Sequence, residues 1–216
     1  MPALTCDDVR LRYGGIEVLH GIRLALAYGT FSALVGPNGA GKTTLLDWCA
    51  GAATEASAAS GVLRLDGREA TTWSASRRAS AGLRYIPFER NVFPGLSVLD
   101  NLRATAGPAA PESAFSRFPE LSRLASRPAG VLSGGERQLL AVVGALCGGG
   151  RILLLDEPTH GLAPTLVDRV LDELARTARE DGRAVLIAEP QLGLVARHID
   201  FVWPLERGLR LSASGA

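Results

Sequence analysis

Gly36-Pro37-Asn38-Gly39-Ala40-Gly41-Lys42-Thr43 has the spacing G-x-x-x-x-G-K-T, and Lys42 is the only lysine in a chain that carries 22 arginines. That spacing suits one kind of chemistry. A glycine-rich loop can wrap its backbone N–H groups around a polyphosphate, and a lysine brings a compact point charge to it on a thin stem. A planar guanidinium is too wide for such a ring, which explains why the one lysine stands here. Thr43 after the lysine completes the pattern.

A second group of chemical residues lies far downstream. The apolar run Ile152-Leu153-Leu154-Leu155 ends in Asp156-Glu157. A buried strand would hold both acids rigidly at its C-terminal end, where α/β proteins place their ligands. Asp156 suits a place beside Mg²⁺, and Glu157 is placed to polarise a water. A third group, Leu132-Ser133-Gly134-Gly135-Glu136-Arg137-Gln138, precedes a helical stretch from Leu139 to Leu146. Ser133 is a natural N-cap, and a helix N-terminus with small residues is an anion site.

The elements that must position these residues follow from hydrophobic patterning. Thr30 to Val35 is expected as a short buried strand entering the glycine-rich loop, with a helix starting at Thr43. Further strands are expected at Val9–Tyr13, Ile22–Ala27, Val62–Leu65, Leu83–Ile86, Ile152–Leu155, Ala184–Ala188 and Phe201–Trp203. Leu166 to Ala178 has Leu166, Val170, Leu171 and Leu174 on one helical face, an ordinary core stripe. Gly51 to Ser60 is rich in Ala and Ser and reads as a loop. Val98 to Val131, rich in Pro, Ala, Ser and Arg, reads as a small helical insertion, with helical patches near Asn101 and from Ser113 to Ala125. Short apolar runs alternating with helices point to an α/β fold with a largely parallel sheet.

Composition narrows the class. The 216 residues, 47% of them hydrophobic, suffice for one folded unit with a small subdomain. A net charge of +1 gives no global attraction to nucleic acid or anionic lipid, so no nucleic-acid partner is expected. Cys6, Cys49 and Cys147 lack metal-ligand spacing and are expected as buried, reduced thiols. No secretory leader is recognisable, and the longest apolar run, Leu139 to Cys147, is far short of a membrane span. A membrane role must therefore come through a partner.

With the three motifs in this order and spacing across nearly the whole chain, the sequence resembles the ATP-binding subunits of ABC transporters. Tyr85-Ile86-Pro87, Val92 to Val98, Asn101-Leu102 and Asp156 to Pro164, with its Gly-Leu-Ala-Pro, most resemble the branched-chain amino-acid importer ATPases. The resemblance implies a P-loop NTPase over residues 1–216. Its mostly parallel core would carry an N-terminal antiparallel β subdomain and a helical subdomain inserted at about residues 91–140. It implies ATP and Mg²⁺, a second ABC ATPase subunit arranged head to tail, transmembrane permease subunits, and a solute-binding protein reached through the permease. It implies a cytoplasmic chain, peripheral on the inner face of the membrane.

Residue by residue, the resemblance assigns ATP contacts to Gly36, Pro37, Asn38, Gly39, Ala40, Gly41, Lys42, Thr43 and Thr44, and adenine stacking to Tyr13. Thr43 and Asp156 would hold Mg²⁺, and Glu157, with Lys42, would be catalytic. Ser133, Gly134, Gly135 and Glu136 would meet the ATP of the partner subunit. Two positions depart from the family pattern. Phe88 stands where a Gln or Glu is expected, with Glu89 as the substitute Mg²⁺ ligand one step on. Pro190 stands at the switch histidine, with Gln191 next to it and His160 in a loop expected at the dimer interface.

Overall fold

The computed structural model describes residues 1–89 and 91–210. Two sheets carry the chain. The first is antiparallel, in the order β2 (Ile16–Leu26), β1 (Leu4–Tyr13), β4 (Ala58–Leu65) and β5 (Arg68–Glu69). The second has six strands in the order β10 (Leu209–Arg210), β9 (Phe201–Glu206), β3 (Phe31–Val35), β8 (Ala184–Glu189), β7 (Ile152–Asp156) and β6 (Leu83–Ile86). All of its pairings are parallel except β10 with β9. The central strands β7 and β8 are buried at every residue, as continuous apolar runs in a covered parallel sheet must be.

Helices cover this sheet. α1 (Lys42–Ala50) follows β3, α2 (Ala75–Ser80) precedes β6, and α7 (Pro164–Arg179) follows β7. α3 (Val98–Ala106), α4 (Ala110–Arg117) and α5 (Pro119–Ser122) form the insertion that leads into α6 (Gly134–Cys147). Val98, Leu102, Ala114 and Phe118 share one buried cluster with Leu139, Val143, Leu153 and Leu155. The insertion therefore packs onto α6 and, through it, onto the sheet. A short α8 (Leu192–Val195) lies between β8 and β9.

Several sequence expectations need adjusting. Ala58 to Ser60, expected in a loop, belong to β4, because Arg12 and Leu11 of β1 pair with Ala58 and Ala59. β2 begins at Ile16, well before Ile22, and α6 begins at Gly134, before Leu139. Cys6 and Cys49 are buried free thiols, whereas Cys147 is only half-buried at the end of α6. α2 was not expected. Its buried Arg78 donates to Trp48 O and Cys49 O at the end of α1, and to Thr71 O and Trp73 O. A guanidinium there satisfies the last carbonyls of the helix that starts at Lys42.

Candidate functional site

Parallel pairing sets the site. Val35, the last residue of β3, is in register with Glu189 on β8, and Asp156 of β7 is in register with Ala188. The phosphate loop and the acidic pair therefore leave the sheet on the same edge, with the end of β8 between them. This is the edge where parallel α/β sheets bind ligands.

The loop from Gly36 to Gly41 is shaped for an anion. Gly39 has φ 79° and Gly41 φ 99°, the left-handed region that favours glycine. Gly41 is the N-cap of α1 and no side chain caps it, so the helix N-terminus is open to a negatively charged ligand. Ala40 is buried, and its carbonyl accepts from Gly208 N at 2.9 Å. Lys42 is 5% exposed, with Nζ donating to Gly36 O at 2.7 Å and Pro37 O at 3.2 Å. The ammonium thus lies curled against the carbonyls of its own loop.

Val18, Asn38, Gly39, Gly41, Lys42, Thr43, Thr44 and Glu157 line one open cleft of about 330 Å³. Val18 had no sequence signal; it arrives because β2 runs past the loop. Tyr13, half-buried near the end of β1, has its hydroxyl pKa raised by burial and by Asp47 and Glu55, with a hydrogen bond to Thr44 opposing the shift. Its ring therefore stands at the loop's edge.

Thr43 Oγ1 donates to Asp156 Oδ2 at 2.7 Å. Burial pushes the Asp156 carboxyl up to about 6, against the hydrogen bond from Thr43. Asp156 Oδ1 is buried without a hydrogen-bond partner among the described residues. A buried carboxylate oxygen left over beside a hydroxyl fits a hard divalent cation. No cluster of three or more His, Cys, Asp or Glu exists among the described residues. Mg²⁺ needs none, because it takes one or two protein ligands with phosphates and water.

Glu157 sits at φ 46°, a left-handed conformation for a non-glycine residue. Its N–H donates to Ala188 O at 2.9 Å, and its carbonyl accepts from Gln138 Nε2 at 3.0 Å and from His160 N at 3.1 Å. Backbone strain held by several bonds is a common feature of functional positions. Glu189, which sequence reasoning missed, is 2% exposed, and its Oε1 accepts from Thr159 N at 3.2 Å and Thr159 Oγ1 at 2.8 Å. Burial pushes its carboxyl up to about 7. The one sequence signal was an acid ending an apolar strand, the same signal that singled out Asp156.

The signature stretch is a helix start. Ser133 Oγ accepts from Glu136 N at 3.2 Å, and Ser133 N donates to Glu136 Oε2 at 2.7 Å, a capping box. The Glu136 carboxylate is thus held on its own helix end. A Cβ on Gly135 would lie 2.3 Å from Gly161 O, so the loop after β7 passes too close for any side chain. A Cβ on Gly134 would meet nothing within 4 Å.

The departures from the family pattern fall outside the phosphate cleft. Phe88 and Glu89 line a separate cleft of about 330 Å³ with Asn91, Gly134, Arg137, Gln138, His160 and Gly161. The structure does not bring Glu89 to Thr43 and Asp156. Pro190 directly follows β8, and Gln191, exposed, precedes α8 without capping it.

A parallel sheet with a glycine-rich loop, an invading lysine and an acid-terminated neighbouring strand defines a P-loop nucleotide-binding domain. The sequence profile of the ABC transporter family matches residues 19–160. The chain is 33% identical over 213 residues to the high-affinity branched-chain amino acid transport ATP-binding protein BraG of Pseudomonas aeruginosa, covering 95% of this chain and 89% of that protein. It is 35% identical over 184 residues to the probable branched-chain amino acid transport ATP-binding protein LivF of Archaeoglobus fulgidus, covering 82% and 77%. The fold matches the ATP-binding cassette MJ0796, solved as a dimer in a post-hydrolysis state bound to ADP and Pi, with TM-score 0.82, 20% identity, and coverage of 99% and 100%. The chain belongs to the ABC transporter family, as an ATP-binding subunit. No described helix is long and apolar enough to cross a membrane.

Proposed function

We propose that this chain is the ATP-hydrolysing subunit that powers an ABC importer for amino acids or similarly small polar solutes. The observation that carries the ATP chemistry is the Thr43–Asp156 contact beside an open loop holding Lys42. Lys42 would exchange its two loop carbonyls for phosphate oxygens, with the amides of the loop and of α1 available to them. Thr43 and Asp156 would hold Mg²⁺, which would supply charge neutralisation on the phosphates. Glu157, in the same cleft, takes the proton of the attacking water. Tyr13 provides an adenine platform at the loop's edge.

Pairing with a second ATPase subunit is supported by where the two anion-binding ends lie. The signature end, with Ser133 and Gly135, lines another cleft with Leu121, Leu124 and Leu162, and shares no lining residue with the phosphate cleft. That arrangement suits a nucleotide closed between the loop of one chain and the signature end of another. Gly134, where a Cβ would meet nothing within 4 Å among the described residues, leaves room for a phosphate from outside. Permease subunits, with a solute-binding protein beyond them, would place the chain on the inner face of the membrane. The amino-acid cargo rests on the likeness to BraG and LivF.

A second reading is favoured by Phe88 and Pro190. Neither can order a water or donate a side-chain hydrogen bond, and proline also lacks the backbone N–H. The chain would then be the slow half of an asymmetric heterodimer, lending an intact signature to a faster sister. Steady-state turnover separates the two. The motor reading expects Mg²⁺-dependent ATP hydrolysis by the purified chain that falls at least about 100-fold in Glu157→Gln. Turnover that appears only after mixing with a sister ATPase, and that survives Glu157→Gln in this chain, would support the second reading.

A further inference from the structure

The loop that carries Glu157 is pinned along its backbone. Gln138 holds the Glu157 carbonyl, Ala188 accepts the Glu157 N–H, and Glu189 holds Thr159 by two bonds. None of these contacts fixes the Glu157 carboxylate. Glutamate has three rotatable side-chain bonds, so a pinned backbone alone leaves its reacting oxygen free to swing away from a water. Among the described residues, the one side chain recorded in polar contact with that carboxylate is His160, whose Nδ1 lies 3.6 Å from Glu157 Oε2.

The His160 ring is exposed, and an exposed histidine would ordinarily sample many rotamers. Here it has a brace. The Phe88 ring meets it edge to face, with centroids 4.9 Å apart and planes at 82°, a favoured aromatic geometry. Phe88 is itself 37% exposed, so this ring contact lies at the surface. Phe88 therefore stands where a polar residue was expected and contacts the side chain that, among the described residues, lies beside the Glu157 carboxylate. Among the described residues, the other charged groups around the loop are Glu89 and Arg137 in the His160 cleft, and Lys42, Asp156 and Glu189 on the phosphate side.

We propose that His160, braced by Phe88, is a positioning residue that orients the Glu157 carboxylate toward its water, in a chain whose position 190 offers no side-chain donor. This rests on the reading of Glu157 as the group that activates water. The contact and its catalytic use can be tested apart.

The contact is read without nucleotide. The chain has three histidines, His20, His160 and His198, so ¹⁵N-histidine spectra resolve each ring. Glu157→Gln and Phe88→Ala should each move the His160 Nδ1 resonance and leave those of His20 and His198 in place. A His160 resonance unmoved by Glu157→Gln overturns the proposal. The use is read in turnover by the full chain. His160→Leu should lower kcat about three- to fivefold, the size expected of a part-exposed polar contact with one ring contact. ATP affinity should stay unchanged, and His160→Gln, which keeps a donor, should restore part of the loss. In a Glu157→Gln background His160→Leu should have no further effect. An unchanged kcat in His160→Leu overturns the proposal. A moved resonance in a wild-type chain that turns over no ATP refutes the reading of Glu157 while upholding the contact.

Discussion

Glu189 lies at the end of β8, between the strand that feeds the phosphate loop and the strand that ends in Asp156, and it is almost wholly buried. Its carboxyl is pushed up to about 7 chiefly by burial, and Glu157 adds to the shift. A carboxyl whose pKa is higher folded than unfolded binds its proton more tightly in the folded state. Its stabilising share is complete below the ordinary carboxylate range and disappears as pH rises through about 7. Asp156, at about 6, acts in the same direction. Glu189→Gln removes the titration while keeping an acceptor for Thr159. Urea unfolding of the ligand-free chain at pH 5 and pH 8 should therefore show the variant gaining on wild type as pH rises. A stability difference that is constant between those pH values would mean that Glu189 is not held protonated by its burial.

At the level of elements, the close pass of the loop after β7 over the start of α6 ties the signature helix to the acidic strand. Gly135→Ala would press a Cβ onto Gly161 O and should cost about 1–3 kcal/mol of folding stability. Gly134→Ala has open space and should leave stability within about 0.5 kcal/mol. Denaturant midpoints of the two variants check this pair, and equal losses would contradict the packing. The elements also explain what could be read in advance. β3, β7 and β8 announced themselves as short apolar runs because both faces of a parallel strand are covered. β1 and β2 were seen only in part. A register shift lies between Cys6 and Val9, with Asp8 at φ 48°, and it breaks the alternation that marks a strand. α2 gave no signal because the one residue it buries is Arg78, not an apolar stripe. Glu189 and Val18 reach the site through sheet order and strand length, which pattern alone does not reveal, whereas Lys42, Thr43, Asp156 and Glu157 stood out because their residue types and spacings suit phosphate and magnesium chemistry.

As a whole, the molecule has a phosphate cleft, an exposed signature end and, among the described residues, no helix long and apolar enough to span a membrane. On the function proposed, the chain would bind nucleotide and pass the closure to partners. The central claim is that nucleotide sits on the loop around Lys42. Calorimetric titration of the purified chain with MgATP, beside Lys42→Ala, tests that claim most directly. The account predicts one site per chain, with affinity falling about 30-fold or more in the variant as charge-assisted contacts to the phosphates are lost. A Lys42→Ala chain that binds MgATP as tightly as wild type would contradict it.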